Sequence, residues 1–466
     1  MKNKQIPPFG IKDKLGYLFG DFGNDFTFLL SSSFLMKFYT DVMGVNAATV
    51  GVIMMIARFV DAFTDVAMGR ICDKSSYTKN GKFKPWIRRM CGPVALSSFL
   101  MYQSSLSNMP MTLKIIYLFI TYILWGCVFY TSINIPYGSM ASAISDSPED
   151  RQSLSTFRTM GGMFAGDIVT AGVPLIAFDR NEKLGIDVIN PSRFTVIAGV
   201  FSLLAVICYL LCFHLTTERI KSDDGENIKN KIPITSMVFN SLRNRALVSI
   251  IFASIFMLLS QLTMQQMSNY VYPITYGNAK MISVSTILMI SGMTIAALTS
   301  KPLSRKFGKA EISVAANMFA GIITLLLYFI RPQNVYVFII FQGISWIGLG
   351  IFAMVNWALI TDVIDYSEIK NGIREDGSIY ALYSFARKLG QAASSGVSGG
   401  LLSYIGYTTA ENITPVIKDG IFSIATLVPA VGFIFLGLIL WLWYPLKKNE
   451  VEKNVKILKQ KHNKEQ

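Results

Sequence analysis

The chain has few of the residues on which enzymes and metalloproteins depend. It contains two histidines, His214 and His462, one at the end of a predicted span and one in the C-terminal tail. With no metal-ligand cluster and no nucleophile motif, the pattern disfavours an intramembrane enzyme. The five cysteines fall in predicted spans or cytoplasmic loops and suggest no disulfide framework. We expect no cleavable signal peptide, because residues 1–14 are polar and the first apolar run continues as a full span.

Charged residues are also scarce. They make up 15% of the chain, against 52% hydrophobic residues, whereas a soluble domain carries about a quarter charged residues. The charges cluster in short tracts between long apolar runs, which is typical of many membrane spans of about 20 residues each. The net charge of +14 does not indicate nucleic-acid binding, because the basic residues flank hydrophobic runs, as the positive-inside rule predicts.

The apolar runs predict an all-α membrane protein with twelve transmembrane helices in two six-helix bundles, a major-facilitator-like architecture with a central cavity. The longest polar stretch, 216–245, is a predicted cytoplasmic loop between an N-terminal bundle (1–215) and a C-terminal bundle (246–444). Residues 445–466 are a predicted basic cytoplasmic tail. The spans are expected at 15–40, 46–70, 88–106, 113–143, 156–178, 194–215, 246–275, 282–300, 310–331, 335–361, 379–406 and 418–444.

The loops predict the orientation of the chain. If the N-terminus is inside, the predicted cytoplasmic segments include the loops 70–89, 144–158, 301–309 and 362–378. Together the cytoplasmic segments hold several times as many Lys and Arg residues as the opposite loops. We therefore expect a multi-pass protein of the cell membrane with cytoplasmic N- and C-termini. Its expected surroundings are membrane lipid, and we expect a monomer.

The second predicted span contains two carboxylates, although an ionised group at the bilayer centre costs at least about 2.5–3.5 kcal/mol. Asp61 and Asp65 are four residues apart and share one helix face. Like charges there repel unless one is protonated or a cation bridges them, and with Thr64 they offer hard oxygen ligands suited to Na⁺, Li⁺ or a proton. The alternative is a structural pair in which Arg58 neutralises Asp61. We favour the cation site, because one arginine cannot neutralise two buried carboxylates.

The first and fourth predicted spans contain further polar groups. Asp21 and Asp25 share a face beside Asn24, and carboxylates and amides hydrogen-bond to hydroxyl groups as a sugar requires. The alternative is a helix-packing role for one of them, and Asp21 is the more structural candidate. Tyr130 and Asn134 lie on one stripe, an aromatic beside an amide that suits a sugar, although such a stripe alone is more often packing.

Three later spans contribute polar or basic residues. Gln261, Gln265 and Asn269 follow at four-residue spacing, which indicates either a cavity-facing stripe or interhelical hydrogen bonds, and both readings stay open. Arg158 lies near the cytoplasmic start of the fifth span, where snorkelling to the interface is the alternative to a binding role. Lys388 lies deep in the eleventh span, where it either compensates an acidic site or meets an anionic substrate.

Seven short motifs follow one another along nearly the whole chain. They are GDFGND at 20–25, FYTDVMG at 38–44, RFVDAFTD at 58–65, GKFKPW at 81–86, NIPYG at 134–138, DYSE at 365–368 and KLGQ at 388–391. In these motifs the chain resembles the glycoside–pentoside–hexuronide:cation symporter family, the melibiose permease-like transporters of the major facilitator superfamily.

The resemblance implies a major-facilitator fold and sugar uptake driven by Na⁺, H⁺ or Li⁺. The residues that match the family's cation site are Asp61, Asp65, Thr64 and Thr131, with Na⁺ a candidate ion for the two carboxylates. Those that match its sugar contacts are Asp25, Asn134 and Arg158, and Lys388 matches a lysine between the two sites. Where the family's best-known member has a lysine, an aspartate and a tryptophan, this chain has Asn24, Asn134 and Gly138. Galactoside specificity is therefore not implied.

The sequence thus predicts a secondary active transporter that moves a sugar, glycoside, pentoside or hexuronide into the cell with a monovalent cation by alternating access. Its candidate substrate-binding residues are Asp25, Asn24, Tyr130, Asn134, Arg158, Gln261, Gln265 and Lys388. No cofactor is expected apart from the coupling ion. The alternatives are a carrier of another amphiphile, such as a lysolipid, and a membrane sensor that does not transport.

Overall fold

The fold is predominantly helical. A computed structural model describes residues 7–220, 244–371, 376–410 and 412–465. The helices are α1 Ile11–Asp41, α2 Ala47–Lys74, α3 Lys84–Leu100, α4 Met111–Ile144, α5 Pro148–Ala177, α6 Pro191–Leu215, α7 Arg245–Thr275, α8 Met281–Phe307, α9 Lys309–Ile330, α10 Val335–Asn371, α11 Asp376–Tyr404, α12 Pro415–Trp443 and α13 Lys448–Glu465. The ranges given for α4, α7 and α12 include π-helical turns.

Among the described residues, nine helices are long and apolar enough to cross a membrane: α2, α4 to α10 and α12. Of the other three long helices that correspond to predicted spans, α3 has only 17 residues. The remaining two, α1 and α11, carry several charged side chains. These are the helices in which the sequence places the candidate site residues Asp25 and Lys388.

The chain divides into two compact units. The N-terminal unit contains the described residues of Met1–Glu226, Gly277–Ser283 and Gly406–Ile413, and therefore α1 to α6. The C-terminal unit contains those of Asn227–Tyr276, Val284–Ile405 and Thr414–Gln466. Its hydrophobic core is formed by buried residues of α7 to α12, with Leu247, Phe352 and Phe433 among those fully enclosed.

Two short segments from the second half of the sequence, Gly277–Ser283 and Gly406–Ile413, belong to the N-terminal unit and are held there by polar contacts. A hairpin of two antiparallel strands, β1 Phe178–Asn181 and β2 Ile186–Ile189, holds the first segment: Asp187 Oδ2 accepts a 2.6 Å hydrogen bond from the Ala279 backbone N–H. The second is held by Tyr407, whose hydroxyl donates to Asp41 Oδ1 at 2.6 Å and accepts from Lys37 Nζ at 3.0 Å. The hairpin was not expected of an all-α chain.

Two predicted loops are wrong in their extent. The loop expected at 144–158 is mostly the first turns of α5, because Ser147 accepts from the Asp150 N–H and Pro148 occupies the first helical position. The loop expected at 362–378 is mostly helical as well: α10 continues to Asn371 and α11 begins at Asp376. In both places the polar residues mark helix ends and not the absence of a helix. The predicted loop at 216–245 lies largely outside the described residues.

The GKFKPW motif forms the start of α3, and a single carboxylate from outside the motif caps that helix. Glu218, which follows α6, accepts hydrogen bonds from the backbone N–H groups of Lys82, Phe83 and Lys84 at 2.6, 2.9 and 2.7 Å. Three donors at a helix start are the groups that a helix cannot satisfy internally, so a carboxylate there is stabilising. Gly81 has a φ of +107°, and a Cβ at this position would collide with the Glu218 carboxyl group. The motif therefore ties the start of α3 to the end of α6.

We expect Gly81→Ala to lower the free energy of unfolding of the purified protein by about 1–3 kcal/mol, because the new Cβ both strains the backbone and displaces Glu218. The measurement is a thermal melting curve. The matched control is Gly92→Ala in α3, where a Cβ meets nothing within 4 Å. A melting curve for Gly81→Ala that coincides with that of the unchanged protein would contradict this account.

Candidate functional site

The predicted cation-site residues come together in the N-terminal unit. The Thr131 hydroxyl of α4 lies 2.7 Å from Asp61 Oδ1 and 3.0 Å from Asp65 Oδ1, both on α2. Asp61 is 5% exposed, and Asp65 is half-buried. The Thr64 hydroxyl donates to the Asp61 carbonyl oxygen at 3.2 Å. All four residues therefore lie on two adjacent helices, and the two carboxylates converge on the Thr131 hydroxyl, whereas the Thr64 hydroxyl bonds to its own helix.

Arg58 is the fixed positive charge beside this group. Its Nη1 lies 3.8 Å from Asp61 Oδ2, a long ion pair between two buried side chains. The guanidinium also lies over the rings of Phe28, Tyr122 and Trp125, at 4.8, 6.0 and 5.9 Å from their centres. An arginine that stacks on aromatic faces is held in place and retains its charge. The ion pair between Arg58 and Asp61, which the sequence analysis gave as the alternative to a cation site, is therefore present.

A π-helical turn positions Thr131. Residues Leu124–Tyr130 of α4 are π-helical, and the regular α-helix resumes at Thr131. Such a turn rotates the residues that follow it, and π-helical turns occur frequently at functional sites. Thr131 also reaches back to the Gly126 carbonyl oxygen at 3.1 Å, within this turn. No sequence signal marked the turn, because its residues are ordinary apolar residues of a span.

Asp21, Asp25 and Arg158 form one cluster of charged side chains beside Gly162 of α5. Arg158 Nε lies 3.1 Å from Asp21 Oδ1, and the guanidinium covers the Tyr137 ring at 5.0 Å. A Cβ at Gly162 would lie 2.7 Å from Asp25 Oδ2 and 2.8 Å from Asp21 Oδ2. The sequence assigned Asp21 the more structural role and left it out of the site. The structure places Asp21 at the centre of this cluster, as the partner of Arg158.

Asn24 and Asn134 are joined to each other. Asn24 Nδ2 donates to Asn134 Oδ1 at 3.4 Å, and Tyr209 of α6 donates to Asn24 Oδ1 at 3.0 Å. Asn24 is only 2% exposed, so its amide is largely occupied in joining α1 to α4 and α6. Asn134 is half-buried and lies one turn after Thr131. Tyr130 is half-buried and stacks on Phe28 with ring centres 5.8 Å apart.

The other three predicted residues lie in the C-terminal unit. Gln261 and Gln265 of α7 are half-buried, as is Lys388 of α11. Packing around α7 involves other positions: Ser260 donates to the Pro429 carbonyl oxygen of α12, and Thr263 bonds to Ser394 of α11 at 3.3 Å. The two glutamines lie on a third face of α7, roughly 100° and 140° around from Ser260. Neither glutamine takes part in these two contacts, and both readings of the stripe stay predictions.

Comparison with known proteins connects this chain to a transporter family. It is 32% identical to the uncharacterized symporter YjmB of Bacillus subtilis, over 97% of this chain and 96% of that protein. It is 29% identical to the glucuronide carrier protein homolog of Escherichia coli, over 93% and 92%. The solved structure of a mutant of the nucleoside transporter NupG matches the fold with a TM-score of 0.68 at 13% identity, over 93% of this chain and all of that one.

These relatives and the NupG structure are transporters and not enzymes. The match to the family extends over residues 16–448, and so covers both units and every candidate site residue. The motifs that indicated a glycoside–pentoside–hexuronide type of symporter all lie inside it. The chain therefore belongs to the MFS/sugar transport protein family of membrane transporters.

Proposed function

We propose that this protein is a cation-coupled sugar symporter that takes up a sugar or glycoside together with Na⁺, H⁺ or Li⁺. In this proposal α1 to α12 are twelve transmembrane helices, six in each unit, and both termini are cytoplasmic. The excess of Lys and Arg in the loops on one side supports the orientation. The polar groups buried in α1, α2, α4 and α5 support a binding site within the N-terminal unit.

The Thr131 hydroxyl is the observation that carries the proposal. It has one hydrogen and three acceptor oxygens within 3.1 Å: two carboxylate oxygens and the Gly126 carbonyl oxygen. One hydrogen cannot satisfy all three, and two carboxylates drawn to one hydroxyl repel each other. A proton on one carboxyl group, or a small cation between the two, relieves that repulsion. Hard carboxylate and hydroxyl oxygens suit Na⁺ and Li⁺.

The Thr131 hydroxyl and the candidate sugar-binding residues are connected through few residues. Thr131 and Asn134 lie on consecutive turns of α4, and Asn134 bonds to Asn24, which precedes Asp25 in α1. Movement of Thr131 on cation binding is thereby passed to Asn134 and α1. Cation and sugar then strengthen each other's binding reciprocally, as thermodynamic linkage requires. Alternating access carries the loaded protein from one side of the membrane to the other.

An uptake screen in membrane vesicles tests the proposal. Radiolabelled pentosides, hexosides, oligosaccharides and uronides are offered with and without an inward Na⁺ gradient, and with and without a protonophore. We expect at least one sugar to accumulate above its external concentration, and one of the two treatments to abolish the accumulation. Accumulation of a lysolipid analogue but of no sugar would favour the other carrier class and refute the sugar proposal.

A further inference from the structure

A buried pair of opposite charges lies near the end of α1, roughly 18 Å along the helix from Asp25. Lys37 Nζ is 2.7 Å from Asp41 Oδ2, and the two side chains are 0% and 5% exposed. The residues are four positions apart, so α1 alone brings them together. Thr40, also in α1, donates to Asp41 Oδ1 at 2.9 Å. The pair therefore forms without help from another element.

The residue that covers the pair comes from a distant part of the chain. Tyr407, 1% exposed, donates its hydroxyl hydrogen to Asp41 Oδ1 at 2.6 Å and accepts from Lys37 Nζ at 3.0 Å. The same Nζ lies 5.3 Å from the centre of the Tyr407 ring. Tyr407 is part of the segment Gly406–Ile413, which connects α11 to α12 in the sequence but belongs to the N-terminal unit. This segment thus covers the pair with one phenol group.

Few side chains hold the segment in place. Tyr407 and Ala410 are buried, whereas Gly406 and Thr408 are exposed. Gly406 has a φ of +80°, a left-handed turn that glycine adopts without strain at the end of α11. A segment with few buried side chains opens at a lower free-energy cost than a helix of the core. Undocking of this segment therefore requires the release of little more than Tyr407 and Ala410.

The charged pair lowers the cost of releasing Tyr407. Removing two charges from water is costly, and this cost can exceed the energy that their pairing returns. When the segment undocks, water returns to Lys37 and Asp41, which stay paired within α1. Their hydration offsets the two hydrogen bonds to Tyr407 that are lost. An apolar contact gains no such compensation on exposure, so this contact is easier to open and close than one in an apolar core.

Resting on the proposed alternating access, we infer that Tyr407 is a releasable latch on the Lys37–Asp41 pair. The segment is tied by the chain to α11 and α12 of the C-terminal unit and by Tyr407 to α1 of the N-terminal unit. When the two units move relative to each other during transport, one of these ties has to give way, and only the Tyr407 contact is not covalent. Tyr407 therefore leaves the pair in one state of the transport cycle and returns in the other.

Alkylation of an Ala410→Cys variant by a maleimide, with purified protein in lipid nanodiscs, tests whether the latch opens. Ala410 is 4% exposed, so a cysteine there reacts only when the segment undocks, and the five native cysteines are buried. In this background we expect Tyr407→Phe, which keeps the ring but removes the shared hydroxyl, to raise the alkylation rate at least tenfold. The rate follows the undocked population, which increases when two hydrogen bonds are lost.

Tyr404→Phe is the matched control, because the Tyr404 side chain is 87% exposed. It should leave the alkylation rate of the Ala410→Cys background unchanged. Equal rates with Tyr407 and with Phe at position 407 would overturn the latch, and this result needs no knowledge of the sugar.

Uptake into vesicles tests whether undocking is part of transport. A maleimide attached at position 410 prevents the segment from docking again, so we expect complete alkylation to lower sugar uptake by the Ala410→Cys variant at least tenfold. The unchanged protein treated with the same reagent is the control, since its cysteines are buried. Uptake that persists after complete alkylation would overturn the inference and leave the sugar proposal intact. Uptake of no sugar by the unchanged protein would refute the proposed function, while the alkylation rates would still decide whether the latch opens.

Discussion

Replacement of Asp61 by asparagine should abolish accumulation driven by the cation gradient while leaving the protein in the membrane. The amide keeps the size of the side chain but cannot bind a proton or hold a small cation as a carboxylate does. Coupling between two ligands of one protein is commonly worth a 5–150-fold change in affinity, and this enhancement of sugar affinity by the cation should disappear. The measurement is sugar binding and uptake at zero and saturating Na⁺, and at two values of pH.

Thr131→Val should weaken the same enhancement without removing a charge, because it deletes the hydroxyl that both carboxylates approach. Its matched control is Ser132→Ala, the next residue, whose hydroxyl donates only to Val128 of its own helix at 2.6 Å. Asp61 also lies 3.8 Å from Arg58, so Asp61→Asn removes the partner of a buried arginine and can destabilise the protein. The amount of each variant in the membrane therefore has to be compared. Undiminished cation-driven accumulation in Asp61→Asn would exclude the proposed cation site.

The sequence predicted which residues are chemically unusual better than it predicted their partners. Asp61 and Asp65 stand out because a buried charge is expensive wherever its helix is placed. Their spacing of four residues sets them on one face, and the structure has both beside Thr131. Thr131 itself was expected only through the family resemblance. The neighbouring sequence does not distinguish a hydroxyl that bonds to a carboxylate on another helix from one that donates to a carbonyl of its own helix, as Ser132 does.

Partners on other helices depend on helix rotation, and periodicity along one chain does not report it. The π-helical turn at 124–130 changes the rotation of α4 before Thr131 and Asn134, and apolar residues conceal it. For the same reason the sequence could not predict the contacts of Asp21, its more structural candidate, or of Asn24, a candidate substrate-binding residue. In the structure Asn24 is buried in bonds to Asn134 and Tyr209, and Asp21 holds Arg158. The sequence identified these polar residues, and their partners on other helices became visible only in the structure.

The second large effect is the loss of sugar affinity that we expect in Gly162→Ala, a variant that adds a single methyl group. In Gly162→Ala the added Cβ would lie 2.7 and 2.8 Å from carboxylate oxygens of Asp25 and Asp21, closer than carbon and oxygen atoms approach without bonding. Aspartate has a short side chain, so both carboxylates must turn away and the 3.1 Å contact between Asp21 and Arg158 must change. Sugar affinity should fall at least tenfold, since a group displaced by about 1 Å no longer meets its partner.

Gly172→Ala in the same helix is the control, because a Cβ there meets nothing within 4 Å. Overpacking typically costs about 1–3 kcal/mol, so Gly162→Ala should still fold and insert, and ligand-free thermal melting can verify this. The cation site on α2 and α4 does not include Gly162, and cation-induced stabilisation should therefore persist in this variant. Loss of sugar binding with retained cation binding would separate the two sites within one unit. Full sugar affinity in Gly162→Ala would show that the cluster of Asp21, Asp25 and Arg158 does not form the sugar site.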